Sequence, residues 1–547
     1  MRNIMAGIGT LGLSLLLCAG LLANIGRCDE RPLRDQIDAA ISNAWQQQQV
    51  VPAPPSADGE FLRRVYLDLL GSVPTYDETV AFLANETADK RSRLVDLLLE
   101  DPRYAQHQAD IWDQTLFGRH PPGYGTDQRG GIQAWLRQQF AENIAYNTWV
   151  RALLRAEGNS VEQGPPVYWM QYSRQPEDAS ESVSQIFLGV QLQCARCHDH
   201  PFENWTQTDF YGLAAFLSRL EVVQVGTKDN LAMFAIGEKS SGDILFTGPA
   251  KDQQPGQQGE PVKPKFLLGD PLAEPPLPDD FKETRFEANK PPPAPLFSRR
   301  DQLADWITQP DNPYFARAIA NRLWAQYLGR GLIHPVDNMS PSRLASHPEL
   351  LTTLTTSLVE HSFDLKWFVR ELVNSQTYQL SSAGSTGEAQ PLWFQHARTR
   401  PLSAEELVEA WRVVSGYNQA ESLAGKPPAT NRFQPLTGGY VLQFFGEPVT
   451  GAGDIQIGLA EHLYQNNGEL GQFLVERPGT LLAELASPDA TWESRVDRLY
   501  FQILNRPAQA DERQQLVELL SSGATPAEAL RNVVWAMLTC GEFRFNH

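Results

Sequence analysis

One pentapeptide, Cys194-Ala195-Arg196-Cys197-His198, does most to restrict how this chain folds. Two cysteines three positions apart bring their thiols together only where the backbone turns helically, and the histidine must clear the end of that turn. The spacing is the attachment signature of a c-type haem. Each thiol adds to a porphyrin vinyl group, and the adjacent imidazole reaches the iron from the proximal side. With only five cysteines in 547 residues, chance rarely produces the pattern. The predicted cofactor is therefore haem c, with thioethers at Cys194 and Cys197 and His198 as axial ligand. Val183, Phe187, Val190, Cys194 and Cys197 lie on one helical stripe. That predicts a single helix, capped at Ser180 or Ser182, with both thiols on its apolar face.

Zinc is the competing cofactor, because Cys194, Cys197, His198 and His200 are all ligand types. Four ligands within seven residues rarely close a tetrahedron, so a zinc site would borrow a distant histidine such as His120 or His334. His200 is thus either an alternative ligand or, with Asp199 and Glu203, a hydrogen-bonding partner of the proximal imidazole or a haem propionate. Pro201 ends the turn, and Phe202 and Trp205 read as packing residues. Met170, Met233 and Met339 are candidates for a sixth iron ligand, and spacing selects none of them. Cys540 reads as a small buried apolar side chain near the last helix.

The first residues read as an export signal. Arg2 precedes an apolar run from Ile4 to Ile25, and Asp29-Glu30 opens a mature-like sequence. Residues 1–28 are therefore expected to be a signal peptide or an N-terminal membrane anchor, placing the protein in the periplasm or at the cell surface. The net charge of −19 supplies no basic field for a phosphate backbone, so nucleic-acid binding is not expected. The basic pairs Arg63-Arg64 and Arg299-Arg300 read as solvated helix surface.

Helical periodicity dominates. Residues 33–220 are expected to form a helical domain: Leu33, Ile37, Ile41 and Trp45 recur every four residues, and Thr75 with Glu78 is a capping box. Residues 221–297 shift to a Pro/Gly-rich insert in which Leu231–Ile236, Ile244–Thr247 and Phe266–Leu268 suggest a few short strands. Helices resume over 298–547, and Pro526 falls at a predicted first turn. The fold class is mainly α, two helical domains joined by the insert. No nucleophile elbow, His-Glu-x-x-His, P-loop or dinucleotide fingerprint occurs, so no catalytic residue is assigned and the sequence leaves open whether the protein is an enzyme.

Several blocks carry a family resemblance. Phe61 to Gly71, Pro74-Thr75, Lys90-Arg91 to Asp101-Pro102 and Phe187 to Phe202 resemble the planctomycete cytochrome-C-like (PSCyt-type) domain of unknown function. Asn321 to Trp324, Gly329 to Leu332, Ser346 to Leu351, Ser375 to Tyr378, Arg400 to Glu405 and Leu504 to Pro507 resemble its companion, the PSD-type domain, also of unknown function. The resemblance implies export and a cytochrome-like label resting on the same pentapeptide. Many relatives carry further cysteines after the segment matching Phe444 to Pro448, and this chain has none there. The expected role is an exported c-type haem protein in electron transfer, or a redox accessory to a partner protein. The alternatives are a haem-free binding or scaffold protein whose cysteine pair is a disulfide or metal clip, and a hydrolase acting on exported polymers.

Overall fold

The computed structural model describes residues 31–118, 129–201, 203–228, 231–248, 259–287, 290–340, 342–384, 391–426, 435–436, 441, 444–445, 458–522 and 526–547. Residues 1–28, expected to be a signal peptide or anchor, lie outside them, as do His120 and Phe202. Among the described residues no helix is long and apolar enough to cross a membrane.

The chain is mainly helical with a few short strands, as expected. The N-terminal half runs through α1 (Leu33–Gln48), α2 (Asp58–Leu70), α3 (Tyr76–Ala84), α4 (Lys90–Glu100), α5 (Pro102–Phe117), α6 (Arg129–Ala141), α7 (Tyr146–Leu154), α8 (Pro176–Val183) and α9 (Gln207–Ala214). After the insert come α10 (Arg299–Ile307), α11 (Phe315–Leu328), α12 (Pro348–Glu360), α13 (Leu365–Asn374) and α14 (Ala404–Ser415). The last long helices are α15 (Trp492–Leu499), α16 (Ala510–Ser522) and α17 (Pro526–Thr539). Thr75 and Glu78 form the reciprocal capping box that starts α3, and α17 begins at Pro526. The sheets are small. β1 (Gly158–Asn159) and β2 (Leu220–Lys228) flank β3 (Leu231–Glu238), all antiparallel, and Gly226 marks an irregularity in the β2–β3 register. β2 had no reading from sequence, because its alternation is short and only half buried. The Phe266–Leu268 run is not a strand; Lys265 makes a single bridge to Pro271 beside it.

Two apolar cores organise these elements. The first gathers side chains from Leu33 to Phe394, so it joins the N-terminal helices to α10–α13. The second collects Leu402 to Phe543, together with Leu67 and Val73. Helix α2 belongs to both. Phe61, Leu62, Val65 and Leu69 enter the first core while Leu67 enters the second, and every residue from Phe61 to Leu70 is buried.

This burial corrects the reading of the arginine pairs. Arg63 and Arg64 are not solvated; their guanidiniums satisfy backbone carbonyls that helix and loop ends leave open. Arg63 donates to the carbonyls of Phe543 (2.6 Å) and Ile503 (3.3 Å), and to Asn505 Oδ1 (3.0 Å). Arg64 donates to the carbonyls of Tyr378 (2.7 Å) and Leu380 (2.9 Å). Arg299 and Arg300 are buried likewise. Arg299 binds Glu274 and Asp243, and Arg300 binds the carbonyls of Leu154 (3.0 Å) and Ala156 (2.7 Å). A local charge pattern cannot show that a carbonyl 440 residues away in sequence will meet it.

Asp68, on the same helix, heads a buried ionic cluster. Arg400 donates to Asp68 Oδ1 at 3.0 Å and grips Glu406 with two bonds, at 2.7 and 2.8 Å. The guanidinium is shared unequally. Glu406, held twice, is lowered to about 2 against the opposing effect of its burial, whereas burial pushes Asp68 upward. A depressed carboxyl contributes stability that is complete above the ordinary carboxylate range and disappears as pH falls through its folded value. Asp68 acts in the opposite sense. We therefore expect acid unfolding to set in between the ordinary carboxylate range and about pH 2, and Glu406→Gln to flatten that limb. Denaturant midpoints measured from pH 7 to pH 2 check this; parallel profiles for the two proteins would show that Glu406 does not govern the limb.

Candidate functional site

The predicted single helix through the cysteines does not form. Helix α8 starts at Pro176, with neither Ser180 nor Ser182 as its cap, and widens into a π-turn over Ser184–Leu188. It stops at Gly189, whose φ of 66° is left-handed. Chain direction then changes, and Gln193–Arg196 forms a separate 3₁₀ turn. The apolar stripe is real as far as Phe187, and Gly189 breaks it. In a 3₁₀ turn side chains at i and i+3 eclipse. Leu192 and Ala195 therefore point together into the core, and Cys194 and Cys197 are both exposed free thiols. The expectation of an apolar face carrying both thiols is not met, because both cysteines are exposed to solvent.

The two histidines are held in opposite tautomers by their partners. His198 Nδ1 lies 2.8 Å from the Asp199 carbonyl oxygen, which can only accept. Nδ1 therefore carries the proton, and Nε2 keeps its lone pair, the arrangement found in metal-ligating imidazoles. The amide of Glu203 donates to His200 Nδ1 at 3.0 Å, so the His200 proton sits on Nε2. His200 fixes the tight turn that follows the motif, aided by its own amide donating to the Trp205 carbonyl at 2.8 Å. Of the two, only His198 presents an unprotonated Nε2 in this arrangement.

The remaining contacts hold the motif loop in place. Arg196 pairs with Asp178 (2.7 Å) and Glu181 (3.4 Å); the bond to Asp178 raises the guanidinium pKa further, and burial raises that of Glu181. These pairs are half-exposed and contribute orientation more than stability. The Arg196 carbonyl accepts from Tyr211 Oη and Gln207 Nε2, both at 3.2 Å, and Asp199 Oδ1 accepts the Gln207 amide at 2.9 Å. From the other half of the chain, Asp337 accepts from Gln185 and from Gln191 (3.0 Å), and Arg322 Nη2 donates to the Ile186 carbonyl at 3.1 Å. Ser340 and Ser342 hydroxyls donate to Glu203, the latter at 2.6 Å, which uses Glu203 to anchor the loop. None of the second-half partners was legible in sequence, since no local spacing records a contact 137 residues away.

Met170 is packed in the first core and Met233 lies in β3, both buried. Met339 is buried too, but its amide donates to the Gly189 carbonyl at 2.7 Å, which places its segment against that of the motif. Among the described residues no group of three or more His, Cys, Asp and Glu is placed to hold a metal ion, so the four clustered ligand types and a set completed by His334 are not assembled there. Cys540 is a partly buried free thiol against the second core. Asn321 pins Ile333 from both sides, at 2.8 and 2.9 Å, and Trp324 is fully buried, so these blocks serve packing.

Gly189 is a point of tension. A Cβ there would stand 3.0 Å from Met339 Cγ and 3.3 Å from Ala318 Cβ, in a backbone region that costs L-residues about 1–2 kcal/mol. Gly189→Val is expected to lower thermal stability by at least that amount and to displace the motif loop. A melting temperature equal to the parent's would show that the loop relaxes freely.

Comparison with protein families matches residues 36–222 to PSCyt2, described as a protein of unknown function (DUF1549). Residues 299–444 match PSD1, a protein of unknown function (DUF1553). No curated protein and no solved structure matches the chain.

Proposed function

The chain belongs to the family that joins a PSCyt2 domain to a PSD1 domain, and from that premise we propose that it is an exported c-type haem protein serving electron transfer with a partner protein. One observation carries the reading. Cys194 and Cys197 are both exposed free thiols three residues apart, followed by a histidine whose Nδ1–H donates to a carbonyl and leaves Nε2 open. The residues present fit the group. Cys194 and Cys197 would hold the group through their sulfurs, and His198 would offer its Nε2 to the iron. Bound haem supplies one-electron chemistry at iron; the chain supplies attachment, orientation and local electrostatics. A motif on the surface, with its loop tied down from both halves of the chain, suits transfer to a docked protein rather than turnover in a closed cavity. Export is part of the proposal, since an apolar run from Ile4 to Ile25 follows Arg2 and precedes the acidic Asp29-Glu30.

The test is expression in a host with haem-attachment machinery, followed by acid-acetone extraction and a pyridine haemochrome spectrum. Haem that stays with the denatured chain supports the reading. A colourless chain overturns it, and thiol counting with metal analysis then separates a disulfide from a metal clip.

A further inference from the structure

Helix α11 begins beneath the motif loop. Tyr314, just before its first residue, packs its ring 6.3 Å from that of Trp205, at one end of the loop. Ala318 closes on Gly189, at the other end. Arg317 lies between these contacts, in the first turn of the helix. Its guanidinium is partly buried, with Nε shut off from water and without a hydrogen-bond partner, and no carboxylate of the described residues pairs with it. Burial works against its charge, and among the described residues the Tyr314 phenol opposes that effect.

This is an anomaly in a chain with 65 acidic residues against 46 basic ones. A partly desolvated cation is normally paired. The nearby Asp209 is engaged by Lys265 at 2.7 Å, and Arg322 is occupied with loop carbonyls. The first turn of α11 carries no acidic residue either, so the positive end of the helix adds to the unbalanced charge. A planar fork with no carboxylate of its own suits a carboxylate brought by a ligand.

We propose that Arg317 receives a propionate carboxylate of the haem attached at Cys194 and Cys197, an inference that rests on the c-type haem reading. Arg317 is then a positioning residue that also sets the charge near the iron. In the haem-bound protein, Arg317→Gln is expected to lower the reduction equilibrium constant about tenfold, about 59 mV for one electron, because removing the cation favours the oxidised iron. Arg317→Lys, which keeps the charge and loses the fork, is expected to shift it less. In the haem-free chain, produced without attachment machinery, Arg317→Gln is expected to leave the melting temperature unchanged or higher, since the guanidinium has no partner there. Covalent haem with an unchanged potential in Arg317→Gln would overturn the inference and leave the haem reading intact. Equal destabilisation of the haem-free chain would overturn it too, by making Arg317 a structural residue. A wild-type chain that takes up no haem overturns both.

Discussion

Asp68→Ala is expected to lower the unfolding free energy by about 3–5 kcal/mol, the scale for removing one partner of a buried ionic cluster. Its carboxylate gathers donors from three distant stretches: Tyr378 Oη at 2.9 Å, Arg400 Nη2 at 3.0 Å and Asn546 Nδ2 at 2.7 Å. Alanine would leave the Tyr378 and Asn546 donors buried without an acceptor, each a loss of about 1–3 kcal/mol. Arg400 would keep its two bonds to Glu406, which limits the damage from that side. Asp68→Asn retains one acceptor oxygen and is expected to fall between the two. Because α2 contributes to both cores, the loss should appear as one coupled shift in denaturant midpoint rather than as local fraying at Asn546. A change below about 1 kcal/mol would mean that water reaches the cluster and replaces the carboxylate.

The same helix shows what could be read from sequence and what could not. Local rules placed α1, the capping box at Thr75, the proline start of α17 and the stripe through Val183 and Phe187, since propensity and periodicity are written in neighbouring residues. The pentapeptide names the candidate residues, Cys194, Cys197 and His198. Arg63, Arg64 and Asp68 were misread or unread because their meaning lies in carbonyls and donors from Tyr378, Phe543 and Asn546. Gly189 marks a finer failure. One glycine in a left-handed turn overrode an apolar rhythm of fours and threes, so Cys194 lies in a separate 3₁₀ turn with Cys197 directly after it, both exposed. Arg317 belongs to the unread class as well. Its significance is a missing partner, and only packing reveals that.

The motif residues should separate by role when changed one at a time in the haem-loading host. Cys194→Ala with Cys197→Ala is expected to abolish covalent haem completely, because both bonds arise at these sulfurs and Cys540, partly buried against the second core, offers no substitute. Each single variant leaves one thioether and should shift the haemochrome band toward that of a haem with one vinyl group intact. His198→Ala removes an axial ligand and neither thiol, so any covalent haem that forms should show altered ligation and a changed potential. His200→Ala tests the tautomer argument. Its Nδ1 accepts the Glu203 amide, so its loss should loosen the turn and lower stability by about 1 kcal/mol while the iron ligation spectrum stays as in the parent. Haem spectra that change with His200 and not with His198 would reverse the assignment of the proximal ligand. Unchanged covalent haem in the double cysteine variant would remove Cys194 and Cys197 from the site altogether.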